Sequence, residues 1–145
     1  MSKIKVLFLC TGNSARSQMA EAFLRAYAGD RFEAYSAGLQ PKPIHPLTRQ
    51  VMNEIGFDLD GQRAKDVTEY LGKVHFGYLI TVCENAERNC PKTFPGLGAR
   101  VHWSLDDPAA VEGTEQERLA AFRQIRDEVR ERVQNWVDRL EGDVA

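Results

Sequence analysis

No apolar run in this 145-residue chain is long enough to cross a membrane or to form a secretory core: the stretch Ile4 to Leu9 is interrupted by Lys5 and stops at Thr11-Gly12-Asn13. The cytoplasm is the expected compartment. Nor does either charge dominate, since 19 basic residues face 21 acidic ones for a formal -2. That balance gives no general electrostatic reason to expect nucleic acid or an anionic membrane as a partner, so any anion must be held by local structure. Cysteines number only three. An odd count cannot pair completely within one chain, and a reducing compartment disfavours permanent bridges, so the thiols point to reactivity. Histidines are equally few, and His45, His75 and His102 show no ligand spacing. With no close Cys-x2-Cys pair, a zinc site is disfavoured and each imidazole reads as surface or core. Repeats, low-complexity tracts and linkers are absent, and residues 1–145 read as one domain.

What is present is an ordinary globular mixture, 43% hydrophobic and 28% charged, which argues against disorder and against a fibrous rod. Ile4, Val6, Leu7, Phe8 and Leu9 make a nearly continuous apolar run, as in a strand buried on both faces of a parallel sheet. From about Ser14 to Ala28 the period becomes helical, with Met19, Ala20, Phe23, Leu24 and Tyr27 on one face. Phe32 to Ser36 is a second strand candidate, followed by Gly38 and by prolines at 41, 43 and 46. Leu47, Val51 and Ile55 resume helical spacing, and Asp66 to Leu71 suits a short helix. Tyr78 to Val82 and Arg100 to Trp103 read as the third and fourth strands. Leu119, Phe122, Ile125, Val129, Val133, Trp136 and Leu140 define one face of a long last helix. Trp103 and Trp136 read as packing residues. The alternation of strands and helices predicts an α/β fold, a doubly wound parallel sheet with its ligand beyond the carboxyl ends of the strands. Cys10, Cys83 and the Asp106-Asp107 pair all follow predicted strands closely and so converge on one rim.

The most informative segment is Cys10-Thr11-Gly12-Asn13-Ser14-Ala15-Arg16-Ser17. A tetrahedral oxyanion needs several donors around one centre, and successive backbone N–H groups in a tight loop that opens a helix supply them. Gly12 permits close approach, Asn13 tolerates left-handed geometry, and Arg16 offers a planar fork for two anion oxygens. The same positive surroundings are expected to pull the Cys10 thiol below its free pKa of about 8.5 and make it a nucleophile, with Ser17 donating to the sulfur. The Gly-Lys-Ser/Thr ending of a nucleotide triphosphatase loop is missing.

This octet resembles the Cys-x5-Arg-Ser/Thr phosphate loop of the low-molecular-weight protein tyrosine phosphatase superfamily. The resemblance implies a four-stranded parallel sheet flanked by helices, and a general acid on a late Asp-Pro loop, here Asp107-Pro108. Oxygen leaves poorly as an anion, so a proton donor is chemically required. Two further segments narrow the likeness. Thr81-Val82-Cys83-Glu84-Asn85-Ala86-Glu87-Arg88-Asn89-Cys90-Pro91 and His102-Trp103-Ser104-Leu105-Asp106-Asp107-Pro108-Ala109 resemble the redox segment and acid loop of the thioredoxin-coupled arsenate reductases within that superfamily.

Arsenate matches phosphate in charge and shape, but As(V) accepts two electrons from thiols, so a reductase needs sulfur beyond the nucleophile. The resemblance implies that Cys10 attacks arsenate, Asp107 protonates the departing oxygen, Cys83 attacks the Cys10 adduct and Cys90 then attacks Cys83. Thioredoxin would reduce the resulting disulfide, in support of arsenic detoxification. If residues 83–90 form a regular helix, seven steps of about 1.5 Å separate the two Cα atoms by roughly 10 Å, beyond the limit of about 7 Å for a bridge. The helix must then break on oxidation, and Asn85, Asn89 and Pro91 suit a weak helix.

Ala15 stands where some relatives carry Cys. Likeness to potassium-binding members points to Asn13, Glu21, Ser36 and Asp66 as ligands of a potassium ion; a polar network bracing the loop without a cation fits them equally. No tightly bound cofactor is otherwise implied, and a monomer is expected. The alternative activity is hydrolysis of phosphotyrosine or another aryl phosphate through Cys10, against which Ala109 and Ala110 follow Pro108 where that branch often carries an aromatic. A third reading is a redox-sensing or anion-binding module without turnover.

Overall fold

The structure, a computed structural model, describes residues 3–90 and 97–144. Four parallel strands, β1 (Ile4–Cys10), β2 (Phe32–Gly38), β3 (Tyr78–Thr81) and β4 (Ala99–His102), form one sheet in the order β2-β1-β3-β4. The helices are α1 (Arg16–Ala28), α2 (Pro46–Asn53), α3 (Glu84–Asn89) and α4 (Glu115–Val144). Short 3-10 turns occupy Val67–Glu69 and Pro108–Ala110.

β1 lies in the interior of the sheet, and Val6 through Leu9 are fully buried. Successive side chains on a strand point to opposite faces, so complete burial of four in a row means that both faces are covered. This is why β1 reads as a continuous apolar run. Along α4 the buried side chains Phe122, Ile125, Val129, Val133 and Trp136 recur at three- and four-residue steps, and the ring of Trp136 meets Phe32 at 5.4 Å and Tyr78 at 5.0 Å. Trp103 packs on Phe8 at 5.8 Å. Each fully buried large side chain contributes about 1.5–3 kcal/mol, so the apolar stripe decides where α4 sits.

Local boundaries differ from the sequence reading in physically simple ways. α1 starts at Arg16 rather than Ser14, because residues 11–15 are held in a loop. α2 ends at Asn53, leaving Ile55 outside it. The helix expected over 66–71 is only the 3-10 turn Val67–Glu69, because Asp66 caps it with its carboxylate and the backbone makes bonds from 69 to 66 and from 70 to 67. No described helix is long and apolar enough to cross a membrane.

The register places the chemistry. Cys10 pairs with Gly38, and Leu9, Thr81 and His102 form one row across β1, β3 and β4. The chain leaves β1 for β2 on one side and returns as β3 on the other, so the strand order reverses between β1 and β3. A crevice opens beyond the carboxyl ends of the strands at such a point. Cys10 ends β1 there, Cys83 follows β3 by two residues, and the Asp106-Asp107 loop follows β4.

Candidate active site

The loop after β1 is shaped by two backbone features. Asn13 adopts φ 51°, the left-handed region, which turns its N–H onto Cys10 Sγ at 3.0 Å. Gly38 lies directly beneath: a Cβ there would stand 2.6 Å from Thr11 O and 3.0 Å from Asn13 N. Only glycine lets β2 end this close to the loop. No side chain caps α1, neither Ser14 nor Ser17 included, so its first-turn N–H groups are left for an anion.

Ser17 is instead fully buried with its hydroxyl 2.9 Å from Cys10 Sγ. Asn13 Nδ2 donates to Ser17 Oγ at 2.8 Å, which leaves the Ser17 proton for the sulfur. The Asn13 amide is itself fixed, because its Oδ1 accepts from Gln18 Nε2 at 3.0 Å and from Lys65 N at 2.8 Å.

The expectation of a depressed Cys10 thiol needs correction in direction. Burial pushes it up, against the lowering pull of the Ser17 hydrogen bond, the Arg16 charge and the Asn13 amide. The thiolate is therefore gained only as pH rises through a raised value, and labelling of Cys10 by iodoacetamide should accelerate with pH. Ser17→Ala removes the first of the lowering contacts. Its labelling curve is expected to move to higher pH by about one unit, the equivalent of one net hydrogen bond, as followed by mass spectrometry. An unmoved curve would mean that Ser17 does not stabilise the thiolate.

Arg16 joins the loop to the acid loop. Its Nη1 donates to Leu105 O at 2.9 Å, and its Nη2 stands 3.9 Å from Asp107 Oδ1. The same Asp107 oxygen accepts from Ala109 N at 3.0 Å. Cys10, Arg16 and Asp107 line a cavity of about 280 Å³ with Thr11, Gly12, Ser14 and Ala15 from the loop. Gln40, Lys42, Pro43, His45 and Ala109 complete its wall, with no phenyl, phenol or indole ring among them. The size and the donors suit a small tetrahedral anion.

Cys83 lies at the edge of this loop, its Sγ 3.5 Å from Thr11 Oγ1. It is also the N-cap of α3, accepting from Ala86 N at 3.3 Å, and Cys90 is the C-cap. The two thiols thus sit at opposite ends of a six-residue helix, free and buried, and burial pushes the Cys90 thiol up. Side chains fasten the helix to β3 and to the loops after β1 and β4. Asn85 Nδ2 donates to Thr11 Oγ1 at 2.7 Å, Ser104 Oγ to Glu84 at 2.9 Å, and Thr81 Oγ1 to Glu87 at 2.6 Å. Pro91, read as a helix terminator, lies outside the described residues.

Of the four candidate potassium ligands, Glu21 and Ser36 meet at 2.7 Å, and Asn13 is linked to them through Lys65. Asp66 does not join: its Oδ1 accepts from Thr68 N and Oγ1. The Lys65 ammonium occupies the space instead, 3.1 Å from Glu21 Oε1 and 3.3 Å from Ser36 Oγ. Lys65 and Gln18 escaped sequence reasoning. A lysine is rarely buried, and no local pattern reveals that its partner lies 44 positions earlier.

Residues 5–145 match the family of low molecular weight phosphotyrosine protein phosphatases. Among curated proteins the chain is similar to an arsenate reductase of Halalkalibacterium halodurans, 42% identical over 95% of this chain and 98% of that one. It is also similar to an arsenate reductase of Bacillus subtilis, 38% identical over 92% and 94%. A solved arsenate reductase in its phosphate-binding state superposes with a TM-score of 0.78 at 30% identity, covering 94% of this chain and 98% of that one. With the thiol-bearing loop at the end of β1, the acid loop after β4 and relatives that span nearly its whole length, the chain belongs to the low-molecular-weight phosphotyrosine protein phosphatase family and groups there with the arsenate reductases.

Proposed function

We propose that this chain reduces arsenate to arsenite, with Cys10 as nucleophile, Cys83 and Cys90 as the thiols that discharge it, and thioredoxin as the returning reductant. The observation that carries the reading is Cys83 at the rim of the anion loop, 3.5 Å from Thr11 Oγ1. Hydrolysis of a phosphate ester needs no sulfur there.

The Cys10 thiolate attacks arsenic, an S–As bond forms, and the departing oxygen takes the Asp107 proton and leaves as water. The Cys83 thiolate then attacks the Cys10 sulfur. As the S–S bond forms the S–As bond breaks, and its electron pair leaves with arsenic, which becomes As(III). Cys90 attacks Cys83 next, freeing the Cys10 thiolate and leaving a Cys83–Cys90 disulfide. Thioredoxin, a dithiol, would restore both thiols in a reducing cytoplasm, with this chain acting as a monomer.

The last internal step asks α3 to open. Its six residues span about 9 Å at 1.5 Å each, too far for a bridge between caps. Opening releases the contacts of Asn85, Glu84 and Glu87 with Thr11, Ser104 and Thr81.

Asp107→Asn keeps an oxygen for the Ala109 amide and removes the proton. The reduction rate is expected to fall by about 100-fold or more, within the range for general acids, with binding of inorganic phosphate retained; an undiminished rate would exclude Asp107 as the acid. The test of the whole reading is NADPH oxidation in a mixture of arsenate, this chain, thioredoxin and thioredoxin reductase. Sustained turnover is expected, and its absence alongside hydrolysis of para-nitrophenyl phosphate would favour the phosphatase alternative.

A further inference from the structure

The Asn13, Glu21 and Ser36 oxygens that family likeness would assign to a potassium ion are already hydrogen-bonded in this chain, and Asp66 is turned away from them. Asn13 Oδ1 receives two donors, from Gln18 Nε2 and Lys65 N. Glu21 is 3% exposed, and its carboxylate is divided between two cations: Arg25 Nη2 holds Oε2 at 2.7 Å and Lys65 Nζ holds Oε1 at 3.1 Å. Ser36 donates its proton to Glu21 Oε1 and accepts from Lys65 Nζ. Asp66 is turned to the 3-10 turn that it caps.

Charge argues the same way. Two side-chain cations already face the Glu21 carboxylate, and a third positive charge in a buried cluster would meet repulsion while the Asn13, Glu21 and Ser36 oxygens are taken by other donors. A potassium ion does not fit among these residues.

We infer that the ammonium of Lys65 is the resident cation of this site, a positioning residue that holds the anion loop in register and makes the protein independent of monovalent metal ions. Its reach to the reacting sulfur is a continuous hydrogen-bonded path. Nζ fixes Glu21 and Ser36 on α1 and β2, while the backbone N–H of the same residue fixes Asn13 Oδ1. Asn13 Nδ2 then orients Ser17, and Ser17 meets Cys10 Sγ. The inference rests on the anion loop and is indifferent to whether arsenate is the substrate.

An open groove of about 700 Å³ lined by Glu21, Arg25 and Lys65 gives small ions access to the cluster. Removing the ammonium should therefore leave a place that a solvent cation can enter.

Lys65→Met tests this in the full chain, prepared in potassium chloride and exchanged into tetramethylammonium chloride at constant ionic strength. The readouts are the Kd of inorganic phosphate, added as its tetramethylammonium salt, and the Tm. For the wild type, both are expected to be the same in either salt. For Lys65→Met in tetramethylammonium, phosphate is expected to bind about 10-fold more weakly, in the ordinary range of coupling between sites, and potassium should restore both the affinity and the Tm. The double variant Glu21→Gln, Lys65→Met removes both charges and should show weakened phosphate binding with no response to potassium. A wild type that gains affinity or Tm from potassium would overturn the inference. So would a Lys65→Met variant that binds phosphate normally without potassium, one that potassium fails to restore, or a double variant that responds to it.

Discussion

Cys10→Ser is expected to abolish both arsenate reduction and hydrolysis of para-nitrophenyl phosphate, by about 10⁵-fold or more, since losing the nucleophile of a site that acts as a unit costs on the order of 10⁶. The hydroxyl that replaces the sulfur is isosteric enough to keep the contacts from Asn13 N and Ser17 Oγ, which lie at 3.0 and 2.9 Å in the wild type. Anion binding should consequently survive. What is lost is an ionisable thiol and, for arsenate, the S–As bond whose electron pair reduces the metalloid. Initial rates with both substrates, together with a phosphate Kd close to that of the wild type, check the separation of binding from chemistry. Residual turnover within about 10-fold of the wild type would assign the nucleophile elsewhere.

Cys83→Ser and Cys90→Ser are expected to divide the two activities that Cys10→Ser removes together. Neither residue lines the cavity that holds Cys10, Arg16 and Asp107, so phosphate ester hydrolysis should persist in both variants. Multiple-turnover arsenate reduction should fall by about 10³-fold. An intramolecular thiol acts at an effective concentration in the millimolar range, and a protein donor supplied from solution at micromolar concentration cannot match it. The variants also differ from each other. Cys83→Ser retains the arsenic adduct on Cys10, whereas Cys90→Ser completes one release of arsenite and stops at a Cys10–Cys83 disulfide. Equal multiple turnover in wild type and both variants would leave the distal thiols without a role.

Much of this site is legible in the sequence because its parts are local. The apolar run of β1, the octet from Cys10 to Ser17 and the helical period of α1 adjoin one another, so strand, loop and helix can be read in order. The α4 stripe is legible for a similar reason, a long periodic face of Phe122, Ile125, Val129, Val133 and Trp136. Cys83 and Cys90 gain their meaning from the resemblance of their segment to the redox segment of the arsenate reductases, and the structure assigns them the two caps of one helix.

What escaped reading depends on contacts between distant segments. The Lys65–Glu21 pair spans 44 positions, and a lysine followed by aspartate looks like surface. In the sequence Gly38 merely follows the second strand candidate, whereas its need for glycine comes from Thr11 O and Asn13 N crossing above it. The direction of the Cys10 shift was missed because donors are visible in the motif while burial is not: the loop advertises Arg16 and Ser17, yet burial of the thiol outweighs them. The helix expected at 66–71 shortened for a related reason, since Asp66 both caps the turn and keeps its side chain there.

The relay of sulfurs is tested most directly by one stoichiometric turnover. Reduced protein is mixed with arsenate in the absence of any reductant, quenched by acid, alkylated and mapped by mass spectrometry. A linkage between Cys83 and Cys90, with Cys10 alkylated and one arsenite formed per disulfide, is the predicted result. Arsenite formed while Cys83 and Cys90 both carry the alkyl label would contradict it.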